Sequence, residues 1–305
     1  MCQNYLYNFQ FSKLFGIFAQ TEEFMKRFFA VLGLLVPFVF VSCSGNPDGD
    51  EILDSDTTTL AIDPKIKANA QNIFNSVPEP AKINEMISDA GLEYDASLLN
   101  NPDKYSSYST DDYKALNLGV YGTDLSFTSS FEQTQESLLY LKCVNLLCKS
   151  LGISGVFDER TSERIDANKD NRDSLLDIIS KSFTQADKFL RENQRGHSSA
   201  LLVAGGWIEA TYLSTKCGIT GKSRKITEEI IKRKASLKEL IALMEGYPAG
   251  AETLYVLDEL RTLQTPMEEL SVKYSSLDKK AEFDPTILSA VDEKISAIRK
   301  KITQN

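Results

Sequence analysis

The clearest pattern of apolar and polar positions lies in residues 284–302. Apolar side chains recur there at spacings of three and four residues, which places them on one face of a helix. They are Ile287, Leu288, Val291, Ile295, Ile298 and Ile302. The charged residues, which occupy the rest of the helical wheel, are Asp292, Glu293, Lys294, Arg299 and Lys300. Because Asp284-Pro285 has the order of a helix start, the segment is predicted to be an amphipathic helix that covers a core.

The same spacing recurs along the chain after residue 62, with little of the alternation that is typical of strands. Asp63-Pro64 and Glu79-Pro80 give further helix starts. The other predicted helices cover about 64–77, 80–90, 111–129, 132–151, 171–193, 197–215, 224–245, 250–264 and 267–275. We therefore expect an all-α domain over residues 63–305, either a single multi-helix bundle or an array of antiparallel helix pairs. A tetratricopeptide array is not expected, because no period of roughly 34 residues is found.

An apolar run, Phe28–Val41, follows the basic residues Lys26 and Arg27 and ends just before Ser42 and Cys43. It is shorter than the ~20 residues that a helix needs to cross a bilayer. A basic start, an apolar middle and a small residue at the end form the layout of a signal peptide. Residues 25–42 are therefore predicted to be a signal peptide.

The residues before Cys43, Phe40-Val41-Ser42, resemble the lipobox of bacterial lipoproteins, although Phe40 stands where Leu is usual. The resemblance implies that Cys43 carries lipid and that the membrane partner is bound through this lipid. Ordinary secretion and an uncleaved anchor are the alternatives. Acidic residues soon after the cysteine resemble the export signal of some Bacteroidota lipoproteins, and they are Asp48, Asp50 and Glu51. This implies an outer-membrane location, with the periplasmic face and the cell surface both left open.

Residues 1–24 contain one basic residue, Lys13, and the acidic pair Glu22 and Glu23, which is unlike the front of a signal peptide. We predict that translation begins at Met25 and that residues 1–24 are a mis-assigned upstream segment. Residues 43–62 are rich in Gly, Asp, Ser and Thr, and they are predicted to be an acidic flexible tether.

The charge of the chain is acidic, with a net value of −9. Removal of residues 1–42, which hold three basic and two acidic residues, leaves −10. No basic stripe is visible, so no nucleic-acid partner is expected. An envelope protein or a small ligand is the partner left open.

Three cysteines, Cys143, Cys148 and Cys217, fall in the predicted helical domain. Cys143 and Cys148 are about 140° apart around a helix, so a disulfide between them is not expected. They are interpreted as buried thiols, with a bridge from Cys217 to one of them as the alternative. A zinc site is not expected, because no second cysteine pair or nearby histidine completes four ligands.

Two glycine-containing apolar segments, 118–129 and 203–214, align at an offset of 85 residues and suggest an internal duplication. Glycine costs roughly 1 kcal/mol in a helix relative to alanine. Either close helix packing or room for a ligand would offset that cost. The candidate ligand-binding residues of the two segments are Tyr121, Asp124, Trp207, Glu209 and Tyr212. Asp124 and Glu209 are predicted to be buried, either in a structural network or as an acid–base pair.

Two weaker motifs, a calcium-type loop and a single histidine, lie between residues 166 and 197. The sequence from Asp166 to Asp177 is similar to the calcium loop of an EF-hand, but Asn171 replaces the glycine of the sharp turn. A polar loop in which Asn171 or Asp170 caps a helix is the favoured interpretation. His197, the single histidine, is predicted to lie in an exposed loop at a helix start rather than in a catalytic triad. No metal, cofactor or catalytic residue is assigned.

The stretch from Leu116 to Gly218, with YGTDLSF, FEQTQESLLYLKC, LGISGVFDE, NRDSLLDII and VAGGWIEATYL, resembles uncharacterised all-helical lipoproteins of Bacteroidota. The resemblance implies an all-helical fold and a location in the cell envelope, but it implies no activity. We expect a lipid-anchored cell-envelope protein with a non-catalytic binding or scaffold role. The alternative is a hydrolase or lyase that uses Asp124 and Glu209.

Overall fold

The α-helices are numbered here in chain order. They are α1 (Asp111–Ser130), α2 (Thr134–Ser150), α3 (Glu159–Ala167), α4 (Arg172–Glu192), α5 (Gly196–Thr220), α6 (Arg224–Glu245), α7 (Ala251–Ser275) and α8 (Ser289–Thr303). Short 3-10 helices occupy Ala96–Leu98, Pro102–Ser106 and Pro285–Leu288.

The structure, a computed structural model, describes residues 90–153, 155–169, 171–247, 250–278 and 280–304. The expected upstream segment, signal peptide, lipidated Cys43 and tether lie outside these residues, as do the predicted helix 64–77 and all of 80–90 except the helical residue Ala90. No strand occurs in the described ranges, and the helices pack together, so the all-α prediction is confirmed.

Several helices begin at capping residues that are visible in the sequence. The side chain of Thr110 accepts a hydrogen bond from the backbone N–H of Tyr113 at 3.2 Å at the start of α1. Asp158 does the same for Thr161 at 2.8 Å at the start of α3. Such side chains satisfy N–H groups that have no partner within the helix. The start of α1 agrees with the predicted start at residue 111, whereas the helix that begins after Asp158 was not predicted.

Helices α1 and α5 form the centre of the fold, and both are buried over most of their surface. They pack against each other through glycines. A Cβ atom at Gly119 would overlap the backbone carbonyl of Leu202, and one at Gly205 would overlap the carbonyl of Leu116. The absence of Cβ atoms at these positions therefore lets the two backbones touch.

The other helices surround this central pair. Helix α2 packs on α1, while α6 and α8 pack on α5. Helix α4 contacts both central helices, and α7 lies against α6 and α8. The face of α8 that packs inward carries Val291, Ile295, Ile298 and Ile302, which are all fully buried. The predicted role of this last helix as a cover for the core is confirmed.

Two predicted boundaries were wrong. The interruption predicted at residues 265–266 is absent, because α7 runs through Pro266 to Ser275. A proline removes one backbone hydrogen bond from a helix, but Leu263 and Met267 are fully buried on either side of it and hold the helix in place. Helix α5 also continues past residue 215, since Gly218 packs against the side chains of neighbouring elements instead of ending the helix.

Helix α3 was not predicted from the sequence. Only Thr161 and Ile165 of its residues are buried, so the segment has too few apolar positions to show a helical period.

The cysteines of the described region, Cys143, Cys148 and Cys217, are all free and buried. The interpretation as buried thiols is confirmed, and the alternative bridge from Cys217 is not formed. Burial raises the pKa of Cys143 to about 11, of Cys148 to about 12 and of Cys217 to about 11. These thiols are therefore protonated at neutral pH. Within the described ranges, the helices are too short or too polar to span a membrane.

Candidate functional site

Asp124 and Glu209, which were predicted from the sequence to be buried acids, meet where α1 packs on α5. Both residues are fully buried. Their carboxyl groups are close enough for each to affect the other's protonation. The structure thus brings together the two acids of the candidate pair, at a point that solvent does not reach.

Arg299 of α8 pairs with this carboxylate centre. Its Nε donates to Oε2 of Glu209 at 2.7 Å, and its Nη2 donates to Oε1 at 2.9 Å. The planar guanidinium therefore holds both carboxylate oxygens in a two-point contact, which is the strongest form of an arginine–carboxylate pair. Burial alone would lower the pKa of Arg299, but the charge and hydrogen bonds of Glu209 raise it overall.

Asp124 is the acid of the centre whose protonated form is favoured. Its Oδ2 accepts from the backbone N–H of Asn100 at 3.1 Å, whereas its buried Oδ1 receives no hydrogen bond. Burial and then the charge of Glu209 raise the pKa of Asp124 well above its usual range, and they outweigh the opposing charge of Arg299. The raised pKa therefore favours a proton on Asp124. The centre then carries one negative and one positive charge.

Tyr212 lies beside the same centre, one turn after Glu209 on α5. The guanidinium of Arg299 lies over its ring at 4.3 Å from the ring centroid, and the ammonium of Lys216 lies at 5.4 Å. These cation–π contacts cover the outer side of Arg299. Tyr212 is thus a packing partner of Arg299, and it is 9% exposed.

The other two predicted ligand-binding residues face different parts of the core. Tyr121 donates through its hydroxyl to the backbone carbonyl of Asn101 at 2.8 Å. Trp207 donates through Nε1 to Oγ of Ser236 on α6 at 2.9 Å. Trp207 and Glu209 are two residues apart on α5, about 200° around the helix, so their side chains point in different directions. Trp207 therefore does not face the carboxylate centre, whereas Tyr121 lies on the same side of α1 as Asp124 and bonds the neighbouring residue of the 100–101 segment.

The glycines of these segments are explained by contacts within the core. Gly119 and Gly205 lie at the contact of the two backbones, and the place of a side chain at Gly122 is taken by the ring of Phe183. Gly206 differs, because a Cβ there would have its nearest neighbours at 3.6 Å, an ordinary contact distance. Close packing therefore accounts for Gly119, Gly122 and Gly205.

Sequence reasoning missed Arg299 and Asn100 as parts of this centre. Arg299 was assigned to the polar side of the last helix, but it is only 13% exposed at its side chain. It follows the buried Ile295 by four residues and precedes the buried Ile302 by three, so it borders the apolar stripe. Two acids predicted in the core also require a buried cation or a proton, and this requirement was the available signal.

The prediction that His197 lies in an exposed loop was wrong. His197 is the second residue of α5 and is partly buried. Its Nε2 lies 3.1 Å from Oδ1 of Asp112 and 3.1 Å from Oγ1 of Thr253, and Nδ1 has no partner. A catalytic triad uses the two ring nitrogens for different partners. In this structure both contacts use the same nitrogen, so the arrangement is not that of a triad.

The segment that is similar to a calcium loop forms a turn between α3 and α4. Asn171 caps α4, since its side chain accepts from the backbone N–H of Ser174 at 3.1 Å. Asp177 pairs with Lys181 at 2.7 Å on the surface of α4. Asp170 lies outside the described residues. Among the residues that the structure describes, no group of three or more His, Cys, Asp or Glu is placed to hold a metal ion.

A cavity of about 340 Å³ lies between the α1–α2 turn and the α3–α4 turn, and we call it the turn pocket. It is partly open to solvent. Its charged lining residues are Glu132, Lys169 and Arg172. Lys169 is half-exposed and lies 3.8 Å from Asp166. The Nε atom of Arg172 is buried and has no hydrogen-bond partner.

The remaining wall of the turn pocket is partly polar and partly apolar. Ser129 and Ser137 contribute hydroxyl groups that are bonded to each other at 3.2 Å. Leu138, Ile165 and Leu175 contribute the apolar surface, and Leu138 is 39% exposed. The volume lies near the lower end of the range of about 300–1,000 Å³ that small-molecule sites occupy. Its size and mixed lining make the turn pocket a candidate binding site.

Comparison with known proteins gives no further identification. No family model matches the chain, and no curated protein or solved structure matches it at a significant level. The resemblance to helical lipoproteins of Bacteroidota stays a prediction.

Proposed function

We propose that this chain is a lipid-anchored, non-catalytic binding protein of the cell envelope. The observation that carries the binding role is the contrast between the carboxylate centre and the turn pocket. Glu209 and Asp124 are fully buried, and Arg299 balances their charge. The turn pocket is partly open to solvent and is lined by Arg172, whose buried Nε has no hydrogen-bond partner among the residues that the structure describes. A buried and balanced centre supports the fold, whereas an open cavity is available to a ligand.

The proposed envelope location rests on the sequence of residues 25–43, with its basic start, apolar run and Cys43. Lipid on Cys43 would attach the domain to the outer membrane, either on its periplasmic face or at the cell surface. The acidic surface of the chain, with a net charge of −9, is consistent with an anchor that does not depend on basic residues.

The alternative, a hydrolase or lyase that acts through Asp124 and Glu209, is supported by the contact of the two carboxyl groups and by the raised pKa of Asp124. It is opposed by their complete burial. A substrate would have to displace Arg299 from both oxygens of Glu209 before it reached the pair.

The test of the proposal uses the full chain expressed in a bacterium that is fed an alkyne-labelled fatty acid. We expect the label in the wild-type protein in the membrane fraction and its loss in Cys43→Ala, with Cys143→Ala as the matched control that keeps the label. The same preparations are screened by thermal shift against sugars, peptides and small organic anions. An unlabelled wild-type protein would refute the anchor, and the absence of any ligand shift would refute the binding role.

A further inference from the structure

We propose that the turn pocket binds a small organic anion, whose charge is held by Arg172 and Lys169 and whose short apolar chain lies on Leu138, Ile165 and Leu175. This inference deepens the proposed binding function and rests on it. It concerns a site that is separate from the carboxylate centre, and it names the chemical class of the ligand.

Arg172 is the residue of the pocket that favours an anionic ligand. It is the first residue of α4, and its Nε is buried without an acceptor. The described residues form no ion pair with its guanidinium. A buried N–H group without an acceptor is unfavourable, and a guanidinium binds carboxylate or phosphate oxygens better than neutral ones. A ligand oxygen at this position would satisfy the group.

The balance of charge in the pocket also favours an anion. Lys169 and Arg172 are cationic, and Glu132 is the one acid among the lining residues that the structure describes. Glu132 forms no ion pair with either cation within the described structure, and the contact of Lys169 with Asp166, at 3.8 Å, is long. The ammonium of Lys169 is therefore able to turn toward a ligand that is bound at Arg172.

The start of α2 adds to this positive potential. Thr134, its first residue, lines the pocket, and Gln133 provides no side-chain hydrogen bond to the exposed end of the helix. A helix N-terminus carries a partial positive charge. The hydroxyls of Ser129 and Ser137 donate to Leu125 and to Thr128, at 2.7 and 3.0 Å. They are thus already engaged, and the charge of a ligand must be met by Arg172 and Lys169.

The apolar wall limits the rest of the ligand. Ile165 and Leu175 are 4% and 6% exposed, and Leu138 is 39% exposed at the rim. A volume of about 340 Å³ holds roughly ten molecules of liquid water at about 30 Å³ each. A carboxylate or phosphate with a short alkyl chain fits this space, whereas a folded protein segment or a long acyl chain does not.

The test measures binding by titration calorimetry with the full chain in a nonionic detergent. The probes are pentanoate, inorganic phosphate and the neutral 1-pentanol. We expect pentanoate to bind, 1-pentanol to bind at least about tenfold more weakly, and Arg172→Gln to weaken pentanoate by about tenfold or more. Tighter binding of phosphate than of pentanoate would assign the charge to a phosphate group and would also support an anion site.

Lys169→Gln is a second variant at an exposed position, so it is expected to fold, and a several-fold loss of pentanoate affinity is expected. Arg160→Gln, an exposed arginine of α3 outside the lining, is the matched control and should bind as wild type. Equal affinity in Arg172→Gln, Lys169→Gln and wild type would overturn the inference, as would equal binding of 1-pentanol. If only sugars or peptides shift the melting temperature, the anion site fails while the binding role stands. If no compound binds, both fail.

Discussion

Arg299 donates to both carboxylate oxygens of Glu209, although the two residues lie 90 positions apart in the chain. This contact joins α8 to the middle of α5 and places the positive charge of the last helix inside the core. Because the raised pKa of Asp124 favours its neutral form, the pair of Arg299 and Glu209 can balance the charge of the centre. The stability of the fold should therefore depend on this one link more than on any surface ion pair.

Replacement of Arg299 by methionine is expected to lower the free energy of unfolding by about 3–5 kcal/mol, because it leaves Glu209 buried without its cation. Urea unfolding monitored by the fluorescence of Trp207 measures the change. The double variant with Glu209→Gln should lose less than the sum of the two single variants. Additive losses of free energy would show that the side chains of Arg299 and Glu209 do not stabilise each other in the folded protein.

The Asp124→Asn variant tests whether Asp124 carries a proton in the folded protein. The folded-state pKa of Asp124 is raised, so its contribution to stability is fully present below its unfolded pKa of about 4 and is lost as pH rises toward the folded pKa. Asparagine keeps a donor without this loss. We expect the stability of Asp124→Asn relative to wild type to increase with pH, by up to about 1.4 kcal/mol per pH unit within that window.

Urea unfolding at pH 4, 5, 6 and 7 follows this difference between the two proteins. The titration of groups that do not interact with Asp124 cancels in this comparison, so the difference reports on the carboxylate centre. Parallel pH curves for wild type and Asp124→Asn would contradict a protonated Asp124.

Gly205 and Gly206 are neighbours on α5 but differ in their surroundings. Gly205→Ala is expected to destabilise the protein by about 3 kcal/mol or more, because the new Cβ overlaps the backbone of Leu116. Gly206→Ala has room at 3.6 Å and should be neutral or stabilising by up to about 1 kcal/mol, through helix propensity. The melting temperatures of the two variants are compared, and each variant serves as a control for the other. Similar losses of stability in both variants would refute the close contact of α1 and α5.

Pro266 lies inside α7 and deprives it of one backbone hydrogen bond. Pro266→Ala is expected to stabilise the protein by about 1–2 kcal/mol, since the restored bond outweighs the greater freedom of the unfolded chain, which costs about 0.4–1 kcal/mol. The melting temperature should rise, and Thr265→Ala on the exposed side is the control with little effect. A lower melting temperature would indicate that the proline itself makes stabilising contacts.

Much of the fold could be predicted because several helices carry both an apolar stripe and a visible cap. The last helix is the clearest case, with its fully buried isoleucines. The prediction failed where tertiary packing overrides local preference. The predicted helices ended at residue 215 and were interrupted at 265–266, but the chain stays helical through both places, where Gly218 and the residues around Pro266 pack in the core. Helix α3 lacked enough buried positions to show a period.

The candidate site was predicted only in part. The burial of Asp124 and Glu209 followed from the apolar sequence around them, but their meeting depends on how α1 packs on α5, which no local pattern specifies. Trp207 was grouped with them by proximity in sequence, whereas the helical rotation turns it toward Ser236. The turn pocket combines residues from four helices and two turns, so neither its shape nor its lining follows from any one segment.

The contact between Arg299 of α8 and Glu209 of α5 should also affect the order in which the chain folds during synthesis. Glu209 emerges from the ribosome well before Arg299, since synthesis proceeds from the N-terminus. Until α8 arrives, burial of Glu209 would isolate a charge in the core, so the half-made domain should stay open and hydrated around α5. We therefore expect the core to close only when α8 is present. A chaperone that holds the nascent chain would then release it at that stage.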